Sequence, residues 1–243
     1  MVEGVGASSG IAMGKAFVLP AWELEMPDNL RDTVDASYEF ERLYDSIRTS
    51  KSELEQIKQE IEELIGSDQA YIFDAHLAIL DDPIFMNEIQ TIIQRQSKPA
   101  EKAVKEVIEK FVDMFDLLDD TYMKERALDI KDVGNRLLKH LLGGFEDPMP
   151  PQDGQYILVA KEVSPSQMAH LERSQLQGIV TMMGGTTSHT AIMARAMGIP
   201  LVMGFDGKLK RPIQNGDNLI VDGDGGLVFI NPNESILEKN TAL

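Results

Sequence analysis

The stretch Met183-Gly184-Gly185-Thr186-Thr187-Ser188-His189-Thr190-Ala191-Ile192-Met193-Ala194-Arg195-Ala196-Met197-Gly198-Ile199-Pro200 gathers the residue types in this chain that could do chemistry. Its pattern predicts a strand end, a glycine loop, a helix and a stop. Residues 179–183 form an apolar run of strand length, which Gly184-Gly185 punctuates. Thr186, Thr187 and Ser188 offer N-cap hydroxyls to a helix that Gly198 can close and Pro200 forbids to continue. His189 then falls in the first turn, where backbone N–H groups lack intrahelical partners and the dipole end is positive. Such a place suits an anion. No acid precedes the histidine and no cysteine is near to share a metal. The chemistry left to a neutral imidazole is attack on a phosphoryl group, which it would then carry covalently. Loop amides and the helix dipole would offset the charge of that group. The plainer reading is a capped helix whose first-turn residue happens to be histidine, and spacing alone leaves both open.

The elements that must position this stretch lie on both sides of a long helical excursion. Residues 2 to about 19 read as strand, turn and strand. From about Asp32 the period changes: Phe40, Leu43, Ile47, Ser50, Leu54, Ile57, Ile61 and Leu64 make one apolar seam on a helix of about 33 residues, roughly 50 Å long. Gly66-Ser67-Asp68 ends it and opens a helix over about 68–80. Asp82 caps a third with Pro83 at its first position. Ser97-Lys98-Pro99 opens a fourth, and Asp119 or Asp120 a fifth, stopped by Gly143-Gly144. These make a helical bundle with short connections. After Pro148-Met149-Pro150-Pro151, strand and helix alternate again: 156–160, a short helix from Ser164-Pro165, 178–182, the motif helix, 201–204, and two strands over 216–230 joined by a tight turn. Asp222 and Asp224 in that turn lack the closing acid of a calcium loop and read as turn residues.

The 243 residues carry a formal charge of −17 and no cysteine. Disulfides and thiolate sites are excluded, and the acidity argues against nucleic acid. No apolar run reaches membrane-spanning length and no basic, apolar leader opens the sequence, so the chain is expected to be soluble and cytoplasmic. Residues 31–147 hold 27 acids against 15 bases, most of the negative charge. Tyr71, Phe73, Leu77, Ile79, Leu80 and Phe115 are more large apolar side chains than one stripe needs. An apolar patch with an acidic rim would dock a basic protein, although the same residues could fill a wide bundle interface. No G-x-S-x-G elbow supports a serine hydrolase, His76, His140, His170 and His189 show no metal-ligand spacing, and the glycine loop lacks the lysine of a nucleotide phosphate loop.

The run GGTTSHTAIMARAMGIPLVMG resembles the phosphohistidine signature of the phosphoenolpyruvate-utilising enzymes, in which the histidine, here His189, is phosphorylated. Residues 122–138 are similar to the Y-x-K-E-R-x-x-D-x-x-D-x-x-x-R-L-L run of one member, Enzyme I of the bacterial phosphotransferase system, and 72–82 to its I-F-x-x-H-x-x-x-L-x-D/E stretch. Residues 5–19 resemble its opening, with Ser9 in place of the usual proline. The resemblance implies an α+β / α/β chain: a discontinuous swivelling phosphohistidine domain (1–30 and 146–232), an inserted all-α bundle (31–145), and the start of a linker helix (233–243). It implies phosphoryl transfer through His189 to the histidine-containing phosphocarrier protein, HPr, with Gly184, Gly185, Thr186, Thr187, Ser188, Thr190 and Arg195 stabilising the phosphate. Asp68, Tyr71, Ala75, His76, Ile79, Asp82, Phe111, Phe115, Met123 and Arg126 would contact HPr. No cofactor is implied for this piece. Magnesium is expected with a phosphoenolpyruvate-binding C-terminal domain, in a homodimer when full-length, while the piece itself is expected to be monomeric. Thr186, Gln69 and Met168 stand where arginine, lysine and threonine are common, which keeps a nitrogen-related paralogue, or a partner-binding module without catalysis, as alternatives.

Overall fold

The structure, a computed structural model, describes residues 1–20, 26, 35–118, 120–144, 154–205, 207–209 and 211–233, with the side chains of 116 and 121 left aside. The chain divides into two compact units, Met1–Trp22 with Asp147–Leu243, and Glu23–Glu146. The proline-rich junction at 148–151, the helix start at Asp32, the alternative cap Asp119 and the linker helix expected beyond Asn233 lie outside the described residues.

The first unit is built on one sheet of eight strands in the order β1-β8-β7-β3-β4-β5-β6-β2. Its centre is parallel. Here β3 (Ile11–Val18), β4 (Tyr156–Ala160), β5 (Leu176–Thr181) and β6 (Leu201–Met203) run together. Parallel neighbours need crossovers, and helices α7 (Pro165–Ala169) and α8 (His189–Met197) supply two of them. Every residue of β4 is buried, as its unbroken apolar run requires. On the other side β7 (Asn218–Asp222) is antiparallel to β3 and to β8 (Leu227–Ile230). Ile157, Val159, Val180, Val202, Phe205, Val221 and Val228 pack as one core.

The two ends of this strand order are a single piece of chain. β1 (Val2–Glu3) pairs with β8 and β2 (Val5–Ser8) pairs with β6, with Gly4 alone between them. The sheet therefore closes on itself, which removes the exposed edges of an open one. Closure brings backbones into contact. Gly4 N donates to Gly226 O at 2.8 Å, and a Cβ on Gly4 would lie 2.6 Å from Met203 O. A Cβ on Gly6 would fall inside the carbonyl oxygen of Gly223. Glycine here answers to close approach, a requirement that strand periodicity does not reveal.

Where the sheet ends, Asp217 accepts a bidentate pair from Arg211 at 2.9 and 3.1 Å, and further bonds from Gln214 N and Asn231 Nδ2. The Arg211 bonds, followed by those from Gln214 and Asn231, hold the Asp217 carboxyl well below the usual carboxylate range. Because the folded value lies below the unfolded one, the stabilisation is present in full above about pH 4 and is lost as pH falls through the depressed folded value. Asp217→Asn should therefore lower the melting temperature at pH 7, with the gap from wild type closing only under strongly acid conditions. Thermal melts of both proteins from pH 7 down to pH 2 check it, and a gap that closes between pH 5 and pH 7 would contradict it.

The second unit is helical among its described residues. α1 (Ala36–Ile65) starts at Asp35, whose side chain accepts from Ser37 N at 2.8 Å. Its seam buries Leu43, Ile47, Ser50, Leu54, Ile57 and Ile61, while Phe40 is half-buried and Leu64 is exposed. The single helix expected over 68–80 is two: α2 (Ser67–Ala70) and α3 (Ile72–Asp81), divided at Tyr71. Asp74 N reaches back only three residues to Tyr71 O, a tightening that ends one ladder and starts the next. α4 (Pro83–Gln96) is capped by Asp82, which accepts from Ile84 N and Phe85 N, with Pro83 first as expected. α5 (Ala100–Asp116) and α6 (Thr121–Leu141) complete the bundle, the latter capped by Asp120.

Polar clusters inside this bundle have no counterpart in the apolar pattern. Arg42 pairs with Glu39 at 2.8 Å and with Glu101, and donates to Leu141 O at 2.7 Å, tying α1, α5 and α6 together. Glu39 also accepts from Ala100 N. Burial works against the Arg42 charge, yet bonds and charge from Glu101 and then Glu39 raise its pKa. In a second cluster His76 lies between two carboxylates, Nε2 3.2 Å from Asp129 and Nδ1 3.7 Å from Asp132.

Candidate active site

The segment that carries His189 is fixed at both ends. At its start Met182 N and Met183 N donate to the carbonyls of Ala160 and Lys161, prolonging the β4–β5 pairing. Thr181 Oγ1 donates to Met183 O at 2.8 Å. Gly184 then takes φ +107, a conformation that calls for glycine, whereas a Cβ there would press only on the flexible end of Met203, its Cε 2.9 Å away. Gly185 to Ser188 is a turn, closed by Ser188 N donating to Gly185 O at 3.0 Å. Ser188 caps α8, its Oγ accepting from Ala191 N at 3.3 Å. Gly198 closes the helix in the left-handed conformation, as the sequence predicts.

His189 is the first residue of α8 and is half-buried. Gly184, Gly185, Thr186 and Thr187 are exposed before it, with Ser188 half-buried. Thr186 and Thr187 are thus exposed in the loop that leads into the nine-residue helix of which His189 is the first residue. About half a positive charge is concentrated at such a terminus.

Two residues expected on the phosphate are placed otherwise. Thr190 is buried and its hydroxyl donates to Val163 O at 2.8 Å, which secures the helix start to the segment before α7. Arg195 donates from Nη1 to Ala7 O at 2.8 Å and Thr186 O at 2.9 Å. Its place six residues along α8 from His189 brings it to the backbone of the loop and of β2, a contact that sequence spacing could not specify. Met168 is fully buried and supplies no hydroxyl at position 168.

The residues expected to meet a partner divide by exposure. Asp68, Tyr71 and Asp82 are exposed, Tyr71 at 71%, and Ala75, Ile79, Phe111, Phe115, Met123 and Arg126 are half-buried. His76 is fully buried against Asp129 and Asp132 and cannot touch a partner, because the helix turns it into the bundle. Phe111 packs edge-on against Phe85, and Arg126 donates to Tyr122 Oη at 2.8 Å and lies over its ring. Lys58, Glu62, Ser67, Asp68, Tyr71 and Asp74 line an open cleft. Missed by the apolar pattern were Ile84, Met114 and Leu117, all exposed, Leu117 at 86%. Among the described residues no group of three or more His, Asp or Glu side chains is arranged to hold a metal. No described helix is long and apolar enough to cross a membrane.

Residues 3–126 match the family described as "PEP-utilising enzyme, N-terminal", and residues 152–226 match "PEP-utilising enzyme, mobile domain". The chain belongs to the PEP-utilising enzymes, as an Enzyme I N-terminal domain. The solution structure of an Enzyme I protein (nEIt) superposes with a TM-score of 0.72 at 34% identity, covering all of this chain and 97% of that one. The N-terminal domain of Enzyme 1 – Nitrogen gives a TM-score of 0.60 at 31% identity, with 98% of it covered. Among curated relatives, the phosphoenolpyruvate-protein phosphotransferase of Geobacillus stearothermophilus is 42% identical over 98% of this chain. That of Staphylococcus aureus is 40% identical over 98%. In each case the chain spans 41% of the relative's length. The mobile-domain match contains the whole Gly184–His189 loop and α8.

Proposed function

We propose that His189 carries a phosphoryl group and exchanges it with a histidine of HPr, as the N-terminal part of an Enzyme I. The observation that carries this reading is the position of His189, first in α8 and directly behind the Gly184–Ser188 loop, within the part of the chain that matches the family's mobile domain. In the transfer a lone pair of the His189 ring attacks phosphorus as the P–N bond to the donor ring breaks. The bonding pair returns to the donor. Each ring keeps the proton on its other nitrogen, so none is released. The helix terminus and the loop hydroxyls face the charge of the passenger, and a helix end stabilises such a charge by roughly 0.3–1 kcal/mol, up to about 2 where partly buried.

Residues 1–30 with 146–232 serve as the swivelling phosphohistidine domain, 31–145 as the HPr-binding bundle, and 233–243 as a linker. The cleft at Asp68 and Tyr71 supports partner binding, since an exposed aromatic ring beside a carboxylate suits a basic side chain, while Asp74 there is already paired with Lys58. Phosphoenolpyruvate and magnesium would act on the part of the relatives that this chain does not span.

Incubation with ³²P-phosphorylated HPr is expected to label the chain with an acid-labile, alkali-stable phosphate. A complex with HPr that never takes label would favour a partner-binding module instead. Labelling by phosphoenolpyruvate and magnesium alone would refute the division of labour.

A further inference from the structure

The pairing of β2 with β6 is irregular at one point. Gly6 faces Val202 and Ser8 faces Leu201, so Ala7 is an extra residue, a bulge in the strand. Bulges re-aim backbone groups and recur beside active sites. Here the Ala7 carbonyl meets Arg195 Nη1 at 2.8 Å, and the same nitrogen meets the Thr186 carbonyl at 2.9 Å. Thr186 is the middle of the loop, three residues before His189, and two glycines precede it. A Cβ on Gly185 would touch nothing within 4 Å, so local packing does not confine the loop there. The bonds at Met183 and the cap at Ser188 hold its ends, and Arg195 holds its centre.

We propose that Arg195 is a positioning residue for phosphoryl transfer at His189. It fastens the glycine loop to the bulge in β2 through two carbonyls and does not itself touch the phosphoryl group. The proposal rests on the reading of His189 as the phosphate carrier. A guanidinium suits the task because it stays charged and can serve two acceptors that a neutral donor would serve weakly. Once unfastened, the loop hydroxyls and amides would sample many positions around the ring. A displacement of about 1 Å at a reacting centre costs on the order of 100-fold in rate.

The test combines exchange kinetics with phosphorylated HPr and amide spectra of residues 184–187 in the unphosphorylated protein, for wild type, Arg195→Met and Arg195→Lys. The expected result for Arg195→Met is a fall in kcat of about 10- to 100-fold with KM for HPr unchanged. The loop amides should shift and become mobile although no phosphate is present. Arg195→Lys, which keeps one charged donor, should recover part of both effects. If Arg195→Met does not fold, Arg195→Lys carries the same test at smaller amplitude. Unaltered loop amides alongside a lost rate would show direct contact with the phosphate and overturn the proposal, as would an unaltered rate. If wild type takes no label, the phosphate-carrier reading fails, and the loop amides still report whether the clamp exists.

Discussion

His189→Ala is expected to lose at least about 10⁴-fold in the rate of phosphate exchange with phosphorylated HPr, because no other group would take over the covalent step. The hydroxyls of Thr186, Thr187 and Ser188 cannot substitute, since Ser188 is engaged in capping α8 and none of the three has a base assigned to it. Stability should change little, within about 1 kcal/mol, because the cap that starts the helix belongs to Ser188 and the closing turn to Gly198. Binding of HPr should persist, since the proposed docking residues belong to the helical unit. The measurements are label transfer, a melting curve and a titration with HPr on the same preparation. Label that survives in the alanine variant would remove His189 from the mechanism. A protein that loses both label and fold would instead show that the ring is structural.

Gly6→Ala is expected to have the largest effect on the fold. Its new methyl would occupy the space of the Gly223 carbonyl oxygen, and Gly226 N lies 3.4 Å away on the same side. Backbone atoms cannot swing aside as the end of a side chain can. Either β2 leaves β6 or the β7–β8 turn moves off, and both outcomes open the closed sheet. A cost of about 3 kcal/mol or more follows, at the upper end for overpacking. Gly185→Ala is the control, because a methyl there meets nothing and φ is not positive. Chemical denaturation of the two variants checks the contrast. Equal stability would mean that the N-terminal segment does not seal the sheet as described.

The amino-acid sequence made the local grammar of this protein plain and left the spatial relations out of sight. The loop, cap, helix and stop around His189 were all legible, since glycines, hydroxyls and Pro200 act on their immediate neighbours. The α1 seam was equally readable, because Leu43 to Ile61 repeat with the period of a helix. The division of the second helix at Tyr71 was not, because no glycine or proline marks it. Arg195 could be placed on the motif helix but not aimed, since its acceptors are a carbonyl nine residues back and another in a strand 188 residues away. His76 looked like a surface residue of a matching motif. Its burial depends on Asp129 and Asp132, carried by a different helix.

The closed sheet has a consequence for how the protein is made. Val2 pairs with Val228 and Gly6 with Val202, so β1 and β2 have no partners until residues 202 to 228 have been synthesised. The helical unit, whose residues 23–146 are contiguous, can condense early on local contacts. The sheet must meanwhile keep its opening strands unpaired and waiting. Assembly of the sheet therefore ends with strands made well before their partners, and the strand whose bulge meets Arg195 is among the last pieces to find its seat.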